Sequence, residues 1–234
     1  MQENKFLEEL DLLNIKYDDE KLSQLNKYYE MLVEWNEKIN LTAITEKEQV
    51  YLKHFYDSLT FLKAINLNDI ESLCDVGTGA GFPGLVLKIF YPHLKLTLID
   101  SLNKRTIFLN EVVKELGLKD VEIIHTRCEE YALKNREVYD VVTARAVANL
   151  SMLMEYCSPL VKKDGYFIPM KAVAEEEINA TKRASNELSL KLVEVIEFNL
   201  PIEESKRTII KYKKENICNK KYPRKFSEMK KKPL

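Results

Sequence analysis

Several things are scarce in this chain of 234 residues, and each scarcity argues against a class of function. The four cysteines, Cys74, Cys128, Cys157 and Cys218, show no CxxC spacing, and none sits in a cluster of histidines. That pattern argues against a disulfide scaffold and a zinc module, so no metal site is expected. There is no run of 18 apolar residues, and therefore no candidate for a membrane-spanning helix. The opening Met1-Gln2-Glu3-Asn4-Lys5 lacks a basic and then apolar leader, which points to a cytoplasmic protein. No repeat or low-complexity linker breaks the chain. Glycine is also rare, six residues in all, yet four of them, Gly77, Gly79, Gly81 and Gly84, fall within eight positions.

Among what is present, 45% hydrophobic residues over this length suffice to bury the core of one α/β domain with an extension. The net charge of −1 conceals an asymmetry. Residues 206–234 carry 12 Lys or Arg against two Glu, or +10, and the preceding 205 residues carry −11. A basic end on an acidic body suggests an anionic partner docking near the C-terminus.

The glycines organise the reading. Leu73-Cys74-Asp75-Val76 has a strand pattern, Gly77-Thr78-Gly79-Ala80-Gly81 a tight loop, and Phe82-Pro83-Gly84 opens an apolar helix. Glycines permit positive φ and close backbone approach, and the helix N-terminus adds free N–H groups, so a nucleotide-like ligand belongs here. A dinucleotide fingerprint requires glycine at the sixth position, where this chain has Phe82; that disfavours a nicotinamide-dependent dehydrogenase. The next strand ends at Asp100, 23 positions after Gly77, close to the ~20 usual for an acidic ribose ligand.

In chain order, two amphipathic helices are expected over residues 3–14 and from Asp18 to about Thr42, then a third over 46–64. On the third, His54, Asp57 and Ser58 share one face, either toward a substrate or as a hydrogen-bonded surface group. Strands are expected at 70–76, 94–100, 121–125, 138–143, 165–171, 191–199 and 207–213. Helices are expected at 83–91, 103–117, 128–135, 149–158 and 173–188. Such alternation gives a doubly wound α/β sheet, seven-stranded and mostly parallel, with helices on both faces. The division is an N-terminal helical extension (1–68) packed on the core, the core (69–214), and a basic tail from 215, rich in Lys and partly mobile.

The loop resembles the first motif of class I S-adenosylmethionine-dependent methyltransferases, a Rossmann-like fold. In that class the strand-end acid, here Asp75, serves the methionine part of the cofactor. More specifically, the chain resembles the bacterial glucose-inhibited division protein B family, which methylates guanine N7 in small-subunit ribosomal RNA. The resemblance rests on Trp35-Asn36 with Asn40-Leu41-Thr42, on Asp75 to Gly84, on Asp100-Ser101-Leu102-Asn103-Lys104-Arg105, on Thr143-Ala144-Arg145-Ala146, and on Lys221-Tyr222-Pro223-Arg224-Lys225 with Lys232-Pro233-Leu234. It departs at Lys171-Ala172, where the family has Lys-Gly, and at Ser227 and Met229.

The resemblance implies S-adenosyl-L-methionine as cofactor. Its contacts map to Gly77, Gly79 and Phe82 in the loop, Asp75 and Asp100 at strand ends, Cys128 and Glu129 after the third strand, and Arg145 after the fourth. Read from the residues alone, Phe82 also suits a core position and Arg145 an ion pair with Asp75 or another carboxylate. The implied substrate is guanine 527 of 16S ribosomal RNA, free or within the 30S subunit or an assembly intermediate, acted on by a monomer. Lys104, Arg105, Arg207, Lys221, Arg224 and Lys225 are the leading candidates for its phosphates. Lys211, Lys213, Lys214, Lys220 and Lys230 to Lys232 join them, with Tyr212, Tyr222 and Phe226 as stacking groups.

Guanine N7 already carries an in-plane lone pair, so no general base is expected. The work is alignment at about 3 to 3.5 Å and exclusion of water. The base must lie in a loop or be flipped out, because N7 faces the narrow groove of A-form RNA. Two other readings stand beside this one: a class I methyltransferase of a small molecule or protein, and an RNA-binding assembly factor that retains the fold.

Overall fold

The computed structural model describes residues 1–145 and 148–234. Ala146, the last residue of the Thr143-Ala144-Arg145-Ala146 motif, lies outside the described residues. The chain opens with α1 (Glu3–Leu12) and α2 (Asp19–Ile39). The Asp18 carboxylate caps α2 by accepting the Lys21 N–H at 2.9 Å, and Asn40 ends it in the left-handed region at φ 50°.

The helix expected over 46–64 exists, but its winding changes along its length. It comprises α3 (Lys47–Val50), a π-helical stretch (Tyr51–Tyr56), α4 (Asp57–Leu59) and a 3₁₀ turn (Thr60–Lys63). Side chains compete with the backbone ladder at this point: the Ser58 hydroxyl donates to the His54 carbonyl at 2.5 Å and the Thr60 hydroxyl to the Asp57 carbonyl at 2.5 Å.

The alternating region follows as β1 (Ser72–Val76), α5 (Gly84–Phe90), β2 (Lys95–Asp100), α6 (Asn103–Glu115), β3 (Val121–His125), α7 (Cys128–Lys134), β4 (Tyr139–Arg145), α8 (Leu150–Cys157) and β5 (Val161–Lys171). It continues with α9 (Glu175–Ala180), α10 (Lys182–Glu187), β6 (Leu190–Asn199), β7 (Lys206–Lys214) and α11 (Phe226–Lys231). The sheet order is β3-β2-β1-β4-β5-β7-β6, and β7 runs antiparallel to both β5 and β6 while the other pairings are parallel. The fold expected from the alternation is therefore present. Its strand order reverses direction beside β1, which leaves a crevice at the carboxyl ends of β1 and β4.

Period-two alternation divides the core between the two faces of the sheet. Leu73, Leu96, Leu98 and Val141 point into the layer holding Phe6, Leu25, Tyr28, Phe55 and Phe108 from the N-terminal and α6 helices. Cys74, Ile99, Val142 and Phe167 point into the opposite layer with Leu153, Tyr212, Tyr222 and Met229.

Two expectations are corrected. β5 starts at Val161, before the Asp164-Gly165 turn, because Gly165 lets the strand stay against β4: a Cβ there would stand 2.6 Å from the Asp140 carbonyl. The helix expected over 173–188 is two, broken at Thr181, whose hydroxyl donates to the Glu177 carbonyl at 2.7 Å. In the tail from 215, Cys218, Tyr222 and Met229 are buried and Arg136 donates to the carbonyls of Cys218 and Tyr222 at 2.9 and 2.6 Å. Among the described residues no helix is long and apolar enough to cross a membrane, and no group of three or more His, Cys, Asp or Glu is placed to hold a metal.

Candidate functional site

The loop between β1 and α5 is built on Asp75. This carboxylate is fully buried, and one of its oxygens accepts both the Thr78 hydroxyl at 2.7 Å and the Gly84 N–H at 2.8 Å. The other oxygen, Oδ1, is buried without a partner among the described residues. Burial pushes the Asp75 carboxyl up to about 6, against the pull of Thr78, the Gly84 N–H and Arg145. Glycine is required at two positions for close approach. A Cβ on Gly84 would meet Asp75 Oδ2 at 2.9 Å, and one on Gly81, at φ 97°, would collide with the Tyr28 hydroxyl. That hydroxyl donates to the Ala80 carbonyl, so α2 braces the loop from below.

The loop is tied to β2 as well. Asp100 is 3% exposed and accepts the Gly79 N–H at 2.9 Å, the Leu102 N–H at 2.9 Å and Arg105 at 3.3 Å. Beyond it a cavity of about 400 Å³ opens along the strand ends, lined by Gly77, Asp100, Cys128, Glu129, Tyr156 and Phe226 among others. Cys128 donates its thiol to the Tyr156 carbonyl at 3.6 Å, and Glu129 accepts from Arg127 at 2.5 Å.

The predicted residues therefore fall into two groups. Gly77, Asp100, Cys128 and Glu129 line the cavity, and Gly79 joins Asp100 beneath its rim. Phe82 and Arg145 lie on the other side of the loop with residues of the 47–63 helix. There Arg145 donates to Asp57 at 3.1 Å and lies 5.3 Å from the Phe82 ring, while His54 stacks on Phe82 at 4.6 Å. The partner of Arg145 is thus Asp57, which also accepts from Arg207 at 3.0 Å.

His54 is locked into one form. Arginine only donates, so the 3.4 Å contact from Arg145 makes His54 Nδ1 an acceptor, and Nε2 carries the proton it gives to Thr42 Oγ1 at 2.9 Å. Burial, with Arg145 second, drives the imidazole down to about 3.

The basic end is only partly open surface. Lys104, Lys221 and Lys225 are exposed, and Arg105 is half-buried on Asp100. Arg207 and Arg224 are paired with buried carboxylates, Asp57 and Glu155, the second at 2.6 Å. Lys214 is buried, donating to the Ser158 and Leu188 carbonyls, and Tyr212 and Tyr222 are buried too. These three are therefore corrected from RNA contacts to core groups; Phe226 remains at the surface.

Sequence reasoning missed several of the cavity residues. Tyr156 and Met152 carried only the signal of an apolar helix, and Phe226 was read as a stacking group for RNA rather than as a cavity residue.

A family model described as rRNA small subunit methyltransferase G matches residues 21–209. The protein named Ribosomal RNA small subunit methyltransferase G from Lysinibacillus sphaericus is 48% identical over 237 residues, covering 100% of both chains. Its namesake from Bacillus subtilis is 51% identical over 223 residues, covering 94% of this chain and 93% of its own. Among solved structures, M. jannaschii TYW2 in complex with AdoMet has a TM-score of 0.59 over 75% of this chain and 80% of its own. At 16% identity that likeness is one of fold alone.

Proposed function

The chain belongs to the rRNA small subunit methyltransferase G family, and from that premise we propose that it uses S-adenosylmethionine to methylate N7 of one guanine in small-subunit ribosomal RNA, by the resemblance guanine 527. The observation that carries the reading is the near-50% identity along the whole chain to proteins of that name. The site fits the cofactor: a 400 Å³ cavity is lined by the glycine loop and an acidic strand end, and a buried Asp75 oxygen has no partner among the described residues.

Asp100 is the residue for ribose hydroxyls, Asp75 with the glycine loop for the amino-acid end, and the Cys128-Glu129 segment for the adenine edge. When bound, S-adenosylmethionine supplies an electrophilic methyl on a sulfonium sulfur. The chain's own task is then alignment and dryness, because N7 offers its lone pair without losing a proton. His54 is in keeping with this, since both its ring nitrogens are engaged, one by Thr42 and one by Arg145. Arg145, fixed over Phe82 by Asp57, places a cation beside the loop on the acceptor side. Exposed Lys104, Lys221 and Lys225 meet RNA phosphates.

The test is transfer of labelled methyl from S-adenosylmethionine to small-subunit RNA from cells lacking the gene, with N7-methylguanine mapped by strand cleavage. One labelled guanine is expected. Intact cofactor binding with no transfer to free RNA or to the 30S subunit would overturn the substrate assignment.

A further inference from the structure

The C-terminal segment was expected to serve RNA alone, yet its helix reaches the cavity. Phe226 and Lys230, both on α11, line the same space as Gly77 and Asp100. We propose that α11 is a wall of the cofactor site and that Phe226 packs on the adenosine part of S-adenosylmethionine, an inference that rests on the cofactor reading above.

Two arginine clamps fix this helix in place. On one side Arg136 holds the Cys218, Asn219 and Tyr222 carbonyls at 2.9, 3.3 and 2.6 Å. On the other, Arg224 meets Glu155 with its Nε at 2.8 Å, its NH2 at 2.6 Å and its backbone N–H at 2.9 Å. Glu155 is 1% exposed, and its carboxylate is satisfied and neutralised by Arg224. It sits on α8 between Met152 and Tyr156, which line the cavity themselves, so the clamp registers the tail against the cavity wall. Met229, the buried residue of α11 itself, anchors the helix to the core.

The ring delivered by this arrangement is 38% exposed, an unusual position for phenylalanine in a lysine-rich helix. One side is occupied by the Arg127 guanidinium at 4.3 Å. In the sheet order β3-β2-β1, Cys128 follows β3 and the glycine loop follows β1, with Asp100 between them; the Cys128 thiol meets the Tyr156 carbonyl and the adjacent Arg127 meets Phe226, so the aromatic end of the cavity is the one away from the loop. A flat purine belongs with the aromatic end and the charged amino-acid part with the loop.

The experiment is calorimetric binding of S-adenosylhomocysteine and of 5′-methylthioadenosine, which lacks the amino-acid end, to the full chain and to Phe226→Ala. Loss of the ring is expected to weaken both ligands about tenfold, with Phe226→Trp restoring affinity. Should the alanine variant unfold, Phe226→Leu keeps apolar bulk without the aromatic face and is expected to lose affinity in the same direction. Equal affinity for both ligands in wild type and variant overturns the inference. A loss confined to S-adenosylhomocysteine also overturns it, since the ring would then face the amino-acid end. Failure of the wild-type chain to bind either ligand sinks the cofactor reading, and this inference with it.

Discussion

At the scale of single residues, Gly84, like Gly81, stands where the glycine loop has no room for a side chain. Among the described residues nothing lies within 4 Å of a Cβ added to Gly79, where only the φ of 62° calls for glycine, but Gly84 would place one 2.6 Å from Leu98 and 2.9 Å from Asp75 Oδ2. In Gly84→Ala the carboxylate must move, disturbing its bonds to Thr78 and to the residue-84 N–H. The expected cost is about 1–3 kcal/mol in urea denaturation, with weaker S-adenosylhomocysteine binding. His54 gives a pH signature. Its folded pKa of about 3 lies below the ordinary 6.5, so the unfolded chain takes up a proton that the folded chain refuses. Its contribution is complete above pH 6.5 and is lost as pH falls toward 3. Asp75 runs the other way: with its folded pKa raised to about 6, its contribution is present below pH 4 and is lost as pH rises through 6. The two oppose each other in wild type, so the informative quantity is a difference. The unfolding free energy of wild type minus that of His54→Gln is expected to fall between pH 6 and 4.5 by up to about 1.4 kcal/mol per pH unit. A flat difference would show that His54 protonates freely.

At the scale of elements, α2 is a support for the active loop. Tyr28 packs against Phe55 at 5.6 Å and Phe82 at 5.4 Å, and its hydroxyl holds the Ala80 carbonyl. Tyr28→Phe keeps the ring and leaves that carbonyl without its donor. A loss of about 1–3 kcal/mol is expected, with faster amide exchange across residues 77–84. That brace was not legible in the sequence, since Tyr28 and Ala80 are 52 positions apart and helical periodicity marks Tyr28 only as apolar. The strand-loop-helix of 70–91 was legible because Asp75, the glycines and Pro83 act locally. The same holds for most of the alternation, which period and turn residues dictate. The changes of winding in 47–63 were hidden, because Ser58 and Thr60 disturb the helix through hydrogen bonds that any polar face could equally send to solvent. The Asp57, Arg145 and Arg207 meeting was half visible: Arg145 suggested a carboxylate partner, but only the packing of the helix beside β4 and β7 identifies which one.

At the scale of the whole molecule, the +10 of residues 206–234 divides into two populations with different jobs. Arg207 and Arg224 neutralise Asp57 and Glu155, which are 4% and 1% exposed. Arg224→Ala leaves the Glu155 carboxylate buried and unpaired, and a stability loss of about 3–5 kcal/mol is expected by urea denaturation. Lys221, Lys225, Lys231 and Lys232 are exposed. Changing these four to glutamine is expected to leave the unfolding midpoint nearly unchanged, since an exposed lysine holds little of the fold. Their contribution is instead to long-range attraction for a polyanion, which salt dependence isolates. Each phosphate contact removed lowers the magnitude of the slope of log affinity against log salt by about 0.7–0.9, so the quadruple variant is expected to lose roughly 3 from that slope with ribosomal RNA fragments. An unchanged slope would place the RNA on another face of the molecule. An unchanged slope in the quadruple variant but a reduced one in a stable Lys104→Gln variant would move it to the α6 side of the cavity.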